Sequence, residues 1–152
     1  SVVRGNASEI LSLAGQDSQT KGVDATASVA DAAKVAGMLA RELGVTIAIT
    51  GPTDVVTDGR RTVTIEGGHW LMPYVTGTGC SSTALVGAFH AVDQDPVSAA
   101  STALAFLGAA GEMAGQTAAG PGTFQIHLLD ALYNLTPSEL QKRCRMQETR
   151  HA

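Results

Sequence analysis

Aromatic residues are scarce: one Trp, two Tyr and three Phe make up 4% of the 152 residues. So few rings exclude the stacking platforms on which single-stranded nucleic acids are held. Charge is sparse too, at 16% of residues and a net −4, which leaves no basic footprint for nucleic acid or acidic lipid. No basic stretch followed by an apolar one opens the chain, and no apolar run is expected to span a membrane. Neither nucleic-acid nor membrane partners are therefore expected, and the location is expected to be cytoplasmic. The two cysteines, Cys80 and Cys144, match neither a zinc spacing nor a redox pair and are expected to be free thiols. The four histidines, 69, 90, 127 and 151, have no metal-ligand spacing. A Walker sequence is also missing, because no lysine follows the glycines.

Apolar residues and glycine are what the chain does have, 44% and 17 residues respectively. The first suits a core of one domain; glycine clusters suit close approach of backbone to a ligand. Asn6 is a helix cap with Glu9 three residues on, the pattern of a capping box, and Gly15 ends that helix. A polar loop is expected over 16–26. A helix over 28–43 follows, with Ala32, Val35, Leu39 and Leu43 on one stripe and Gly44 at its end. Val45, Ile47 and Ile49 then read as a buried strand, and Asp58-Gly59 between β-branched runs reads as a hairpin turn. A strand-like segment over 70–75 leads to the glycines at 77 and 79, with a small-residue helix expected over 81–90. Asp95-Pro96 starts another helix reaching Ala114, Gly120-Pro121-Gly122 forms a loop, and the final helix is expected over 124–133. Alternating helix and strand indicate an α/β fold.

Three places carry candidate chemistry. Gly77-Thr78-Gly79-Cys80 precedes a helix, whose first N–H groups and dipole favour an anion; Thr78 and Gly79 would form the anion hole. The same residues also suit a plain tight turn. Cys80 at that helix start is either a base or nucleophile or a small packed hydrophobe. Thr50-Gly51 closes a buried strand, at the strand end where α/β sheets bind ligands. Arg4, just before the Asn6–Glu9 cap, either grips a phosphate or is solvated.

Seven stretches in order and register resemble the hydroxyethylthiazole kinases of the ribokinase-like superfamily. They are Arg-Gly-Asn-Ala-Ser-Glu-Ile at 4–10, Gly-Val-Asp at 22–24, Thr-Gly at 50–51 and Val-Thr-Asp-Gly at 56–59. Thr-Gly-Thr-Gly-Cys at 76–80, Gly-Pro-Gly at 120–122 and Leu-Asp-Ala-Leu-Tyr at 129–133 complete them. The resemblance implies a ribokinase-like layered α/β fold, here only the C-terminal part of the central sheet with flanking helices. It implies a nucleotide-binding part over 1–136, with a polar tail at 137–152. It further implies ATP-dependent phosphorylation, with Mg²⁺, of the hydroxyl of 4-methyl-5-(2-hydroxyethyl)thiazole. Arg4 and Thr50 match positions that contact ATP, Gly77 a substrate position, and Glu9 the acidic end of a motif that organises Mg²⁺. Cys80 stands where most of the superfamily carries an aspartate base, and Pro52 where close relatives often have glutamate. Family members also carry an N-terminal part, which implies a complementing N-terminal half, and the family's trimeric arrangement implies a homotrimer. Two rival readings remain: a non-catalytic nucleotide-binding or assembly subunit, and a hydrolase using Cys80 with His69 as base.

Overall fold

A computed structural model describes residues 1–15 and 29–151; the loop expected over 16–26 and the start of the next helix at Ser28 lie outside them. Among the described residues the strands are β1 (Val2–Asn6), β2 (Thr46–Thr50), β3 (Thr53–Thr57), β4 (Arg61–Glu66) and β5 (Arg145–Arg150). The helices are α1 (Ala7–Leu13), α2 (Val29–Leu43), α3 (Thr78–Val92), α4 (Pro96–Gly115), α5 (Pro121–Asn134) and α6 (Pro137–Arg143). The strands form one mixed sheet in sequential order, β1 parallel to β2 and the rest antiparallel.

Helices cover both faces of this sheet. Ile47, Ile49 and Val55 point to one face and pack with Ile10 of α1 and Ala32, Val35, Ala36, Leu39 and Ala40 of α2. Leu43, the last residue of α2 before the Gly44 turn (φ +63°), departs from the expected stripe and is half exposed. Ala48, Val56, Val63 and Ile65 point to the other face, against Val86 of α3 and Val97, Ala100 and Leu104 of α4. A further layer joins α4 to α5 through Leu107, Ala110, Phe124 and Leu128. β2 is buried along four consecutive residues because both its faces are covered.

Local chemistry sets the boundaries. Asn6 and Glu9 make the expected capping box: Glu9 N–H donates to Asn6 Oδ1 at 2.9 Å, and Asn6 N–H to Glu9 Oε2 at 2.7 Å. Asp95 caps α4 by accepting from Val97 and Ser98 N–H, with Pro96 first in the helix. The hairpin turn needs Gly59, whose φ is +83° and where a Cβ would lie 2.6 Å from Gly37 O.

Three expectations are corrected. Residues 70–75 are not a strand: a turn leads into a 3-10 helix, Met72–Tyr74, and α3 starts at Thr78 rather than Ser81. Gly120-Pro121-Gly122 is not a free loop, since Pro121 is already the first residue of α5. α4 does have the length and apolarity of a membrane span, but 67% of its most apolar window is buried inside the protein, which makes it the core helix of this layer. The polar segment from Pro137 forms α6 and the edge strand β5, paired with β4 from Arg61 to Glu66.

Candidate functional site

Strand register places the polar residues. Arg4 pairs with Ala48 and Asn6 with Thr50, so Arg4 and Thr50 share the face that α3 and α4 cover. There Arg4 Nη2 donates to Thr50 Oγ1 at 2.5 Å. The guanidinium Nε is buried and has no hydrogen-bond partner among the described residues. Ile49 pairs with Val55 and Ala48 with Val56; continuing that register sets Thr50 opposite Asp54. A charged or polar residue from each of three adjacent strands thus meets at one end of one face.

The start of α3 arrives at the same corner. Gly77 has φ +98°, a left-handed conformation that suits glycine, and no side chain caps the helix. The first intrahelical bond is Ser81 N–H to Gly77 O at 2.8 Å, so the N–H groups of Thr78, Gly79 and Cys80 have no partner in the helix. A Cβ at Gly79 would lie 3.3 Å from both Nη1 and Nη2 of Arg4. The bare backbone of Gly79 is what lets the helix start lie against the guanidinium. Thr78 Oγ1 donates to the carbonyls of Met72 and Val75, both at 3.2 Å, tying α3 to the 3-10 helix before it. The Thr78 hydroxyl is therefore structural, leaving only its N–H to face an anion. Cys80 is exposed at the third position of α3.

Glycines of α4 fix how the chain enters this corner. Gly68 N–H donates to Gly108 O at 3.2 Å, and Cβ atoms at Gly111 and Gly115 would strike Met72 Sδ at 2.9 Å and the His69 ring at 2.3 Å. The His69 ring stacks on Phe124 with centroids 5.4 Å apart, and its Nδ1 accepts from Leu71 N–H at 3.4 Å. No hydrogen bond among the described residues joins it to Cys80, so the thiol–imidazole pair of the hydrolase reading is not formed.

Glu9 is the third residue of α1, whose cap Asn6 has Thr50 as its strand partner. Its Oε2 is engaged in the capping box, so Oε1 is the oxygen that would hold a metal. No group of three or more His, Cys, Asp or Glu suited to a metal occurs among the described residues. One free carboxylate oxygen fits Mg²⁺ that keeps its waters and binds chiefly through substrate phosphates.

Asp54 escaped the sequence reading. Burial pushes its carboxyl up from 3.8 to about 6, against the opposing pull of the Gly51 N–H and the Arg4 charge. Gly51 N–H donates to Asp54 Oδ1 at 2.9 Å. A signal was present: Asp54 follows Thr50-Gly51 within four residues, on the returning arm of the hairpin.

Known proteins of one family resemble this chain in sequence and fold. The profile of the hydroxyethylthiazole kinase family matches residues 1–138. A hydroxyethylthiazole kinase of Desulfotalea psychrophila is 66% identical over 149 residues, 98% of this chain and 55% of that protein. One from Cereibacter sphaeroides is 51% identical over 146 residues, 96% of this chain and 55% of its own length. The solved hydroxyethylthiazole kinase of Pyrococcus horikoshii OT3 superposes with a TM-score of 0.85 at 38% identity, over 97% of this chain and 54% of that one. The chain thus spans about half the length of these relatives. On sequence and fold together, this chain belongs to the hydroxyethylthiazole kinase family.

Proposed function

We propose that residues 1–136 carry the nucleotide-binding and phosphoryl-transfer part of a hydroxyethylthiazole kinase, acting in the cytoplasm on ATP and 4-methyl-5-(2-hydroxyethyl)thiazole. The convergence of Arg4, Thr50 and Gly79 at the uncapped start of α3 carries the reading. Phosphoryl transfer asks a protein for position and neutralisation of charge more than for covalent chemistry. Arg4, steadied by Thr50, holds the nucleotide's phosphates. The N–H groups of Thr78, Gly79 and Cys80 receive the negative charge of the group in flight. Gly77, with no side chain, leaves room for the thiazole. As the alcohol oxygen bonds to the γ-phosphorus and the bond to ADP breaks, Cys80 takes the hydroxyl proton. Glu9 would hold Mg²⁺ through Oε1, and the ion would neutralise phosphate charge.

The family resemblance adds a trimer with sites between subunits. Exposed Trp70 and Tyr74, and Ile126, Leu129 and Tyr133 on the outward side of α5, support assembly, and sedimentation velocity reads its stoichiometry. The 55% coverage of the relatives favours a second reading, nucleotide binding without turnover until the remaining half is supplied. One experiment separates them. ATP- and Mg²⁺-dependent phosphorylation of the thiazole is measured with this chain alone, then with the N-terminal part of a longer relative added. Turnover alone supports the kinase as a self-sufficient unit; turnover only on addition supports a complementing half. No turnover in either mixture, with ATP still bound, leaves the non-catalytic binder.

A further inference from the structure

Asp54 takes part in none of the steps above, yet its surroundings are specific. It lies across the hairpin from Thr50 by continuation of the Ile49–Val55 pairing. The Gly51 N–H donates to its Oδ1 at 2.9 Å, closing the turn that follows Thr50. The turn is confined on its other side as well, since a Cβ on Gly51 would lie 2.8 Å from Val29 Cγ2 of α2. Arg4 depends on this arrangement: its one hydrogen bond among the described residues goes to Thr50 Oγ1, while its buried Nε has no partner. Whatever holds Thr50 in place therefore aims the guanidinium.

We infer that Asp54 is the positioning residue of this site, its carboxylate oxygen holding the Thr50–Gly51 turn and, through Thr50, directing Arg4 at the nucleotide's phosphates. The inference rests on the nucleotide-binding reading given above. It acts through a hydrogen bond of fixed reach, so the place of the acceptor matters more than its charge. Asparagine keeps an acceptor at the same distance from the backbone; glutamate keeps the charge but moves the acceptor by one methylene; alanine has none.

The test is ATP affinity of the 152-residue chain by titration calorimetry, with a thermal unfolding curve for each variant. Asp54→Ala is expected to weaken ATP roughly tenfold, the scale of one lost hydrogen bond at a site of this kind. Asp54→Asn should stay within about threefold of the parent chain, and Asp54→Glu should weaken binding as Asp54→Ala does. Rescue by asparagine, at a melting temperature no lower than the parent's, is an outcome that general loss of packing does not produce. Parent-like affinity in Asp54→Ala overturns the inference and leaves the nucleotide site standing. An asparagine variant as weak as the alanine one also overturns it, by making charge the working property. Failure of the parent chain to bind ATP overturns the nucleotide reading itself, and this inference with it.

Discussion

Two side chains decide most at the scale of single residues. Cys80 stands where a carboxylate would serve a proton acceptor better, because carboxylates are ionised well below neutral pH. Cys80→Asp is accordingly expected to keep or raise kinase activity, and Cys80→Ala to lower it, in the assay that shows turnover. Loss in the aspartate variant as deep as in alanine would sink the base role, and thiol chemistry would then regain ground. Asp54 gives a stability signature of its own. Its folded-state carboxyl titrates at about 6 against 3.8 ordinarily, so the folded chain binds the proton more tightly than the unfolded one. The resulting stabilisation is fully present below about pH 4 and lost as pH rises through about 6, a change worth about 3 kcal/mol. Urea titrations across that window should show a smaller decline for Asp54→Asn than for the parent chain. Equal slopes would mean that the carboxyl is not shielded as its burial implies.

Elements position these residues, and α4 does so through its glycines. The 67–69 segment lies on Gly108, Gly111 and Gly115, and from there the chain passes through the 3-10 helix that Thr78 grips. Gly115→Ala places a methyl 2.3 Å from the His69 ring, and is expected to cost about 1–3 kcal/mol and to disturb the start of α3. Gly87→Ala on α3 meets open space and should be neutral or stabilise by up to about 1 kcal/mol, as helical propensity favours alanine. Chemical denaturation of the pair checks this; equal effects would mean the His69 contact is easily relieved. The capping box of α1 and the aspartate cap and proline start of α4 were legible because each is a local contact within four residues. The 3-10 helix was not, since Trp70, Leu71, Tyr74 and Val75 resemble a strand until packing on α4 bends them. Nor was β1, where Arg4 and Gly5 interrupt the apolar alternation that marks a strand.

Over the whole molecule, the C-terminal segment closes one side of the sheet. β5 is exposed along its length and charged at Arg145, Glu148 and Arg150, which discourages a further strand from pairing with it. Arg145 and Arg143 both meet Glu112 of α4, and Leu140 and Cys144 pack beneath. Burial pushes the Cys144 thiol up from its ordinary value. Removing residues after Thr136 would bare the edge of β4 and take away that packing. A lower melting temperature with concentration-dependent association is expected, read by calorimetry and light scattering. A truncated chain as stable and monodisperse as the full one would show the segment to be dispensable.

The sequence by itself determined the α/β class, the helix caps, the hairpin and the family, because each rests on short-range patterns or on motifs in fixed order. It also named Arg4, Thr50 and Gly79 separately. Only the tertiary structure decided that they meet, since β1 and β2 lie 44 positions apart by their register, Arg4 against Ala48 and Asn6 against Thr50. The role of the Thr78 hydroxyl, the separation of His69 from Cys80 and the burial of Asp54 were likewise settled by packing. Hydrogen-bond partners and desolvation depend on which surfaces of distant elements face each other, and no local pattern of residues encodes that.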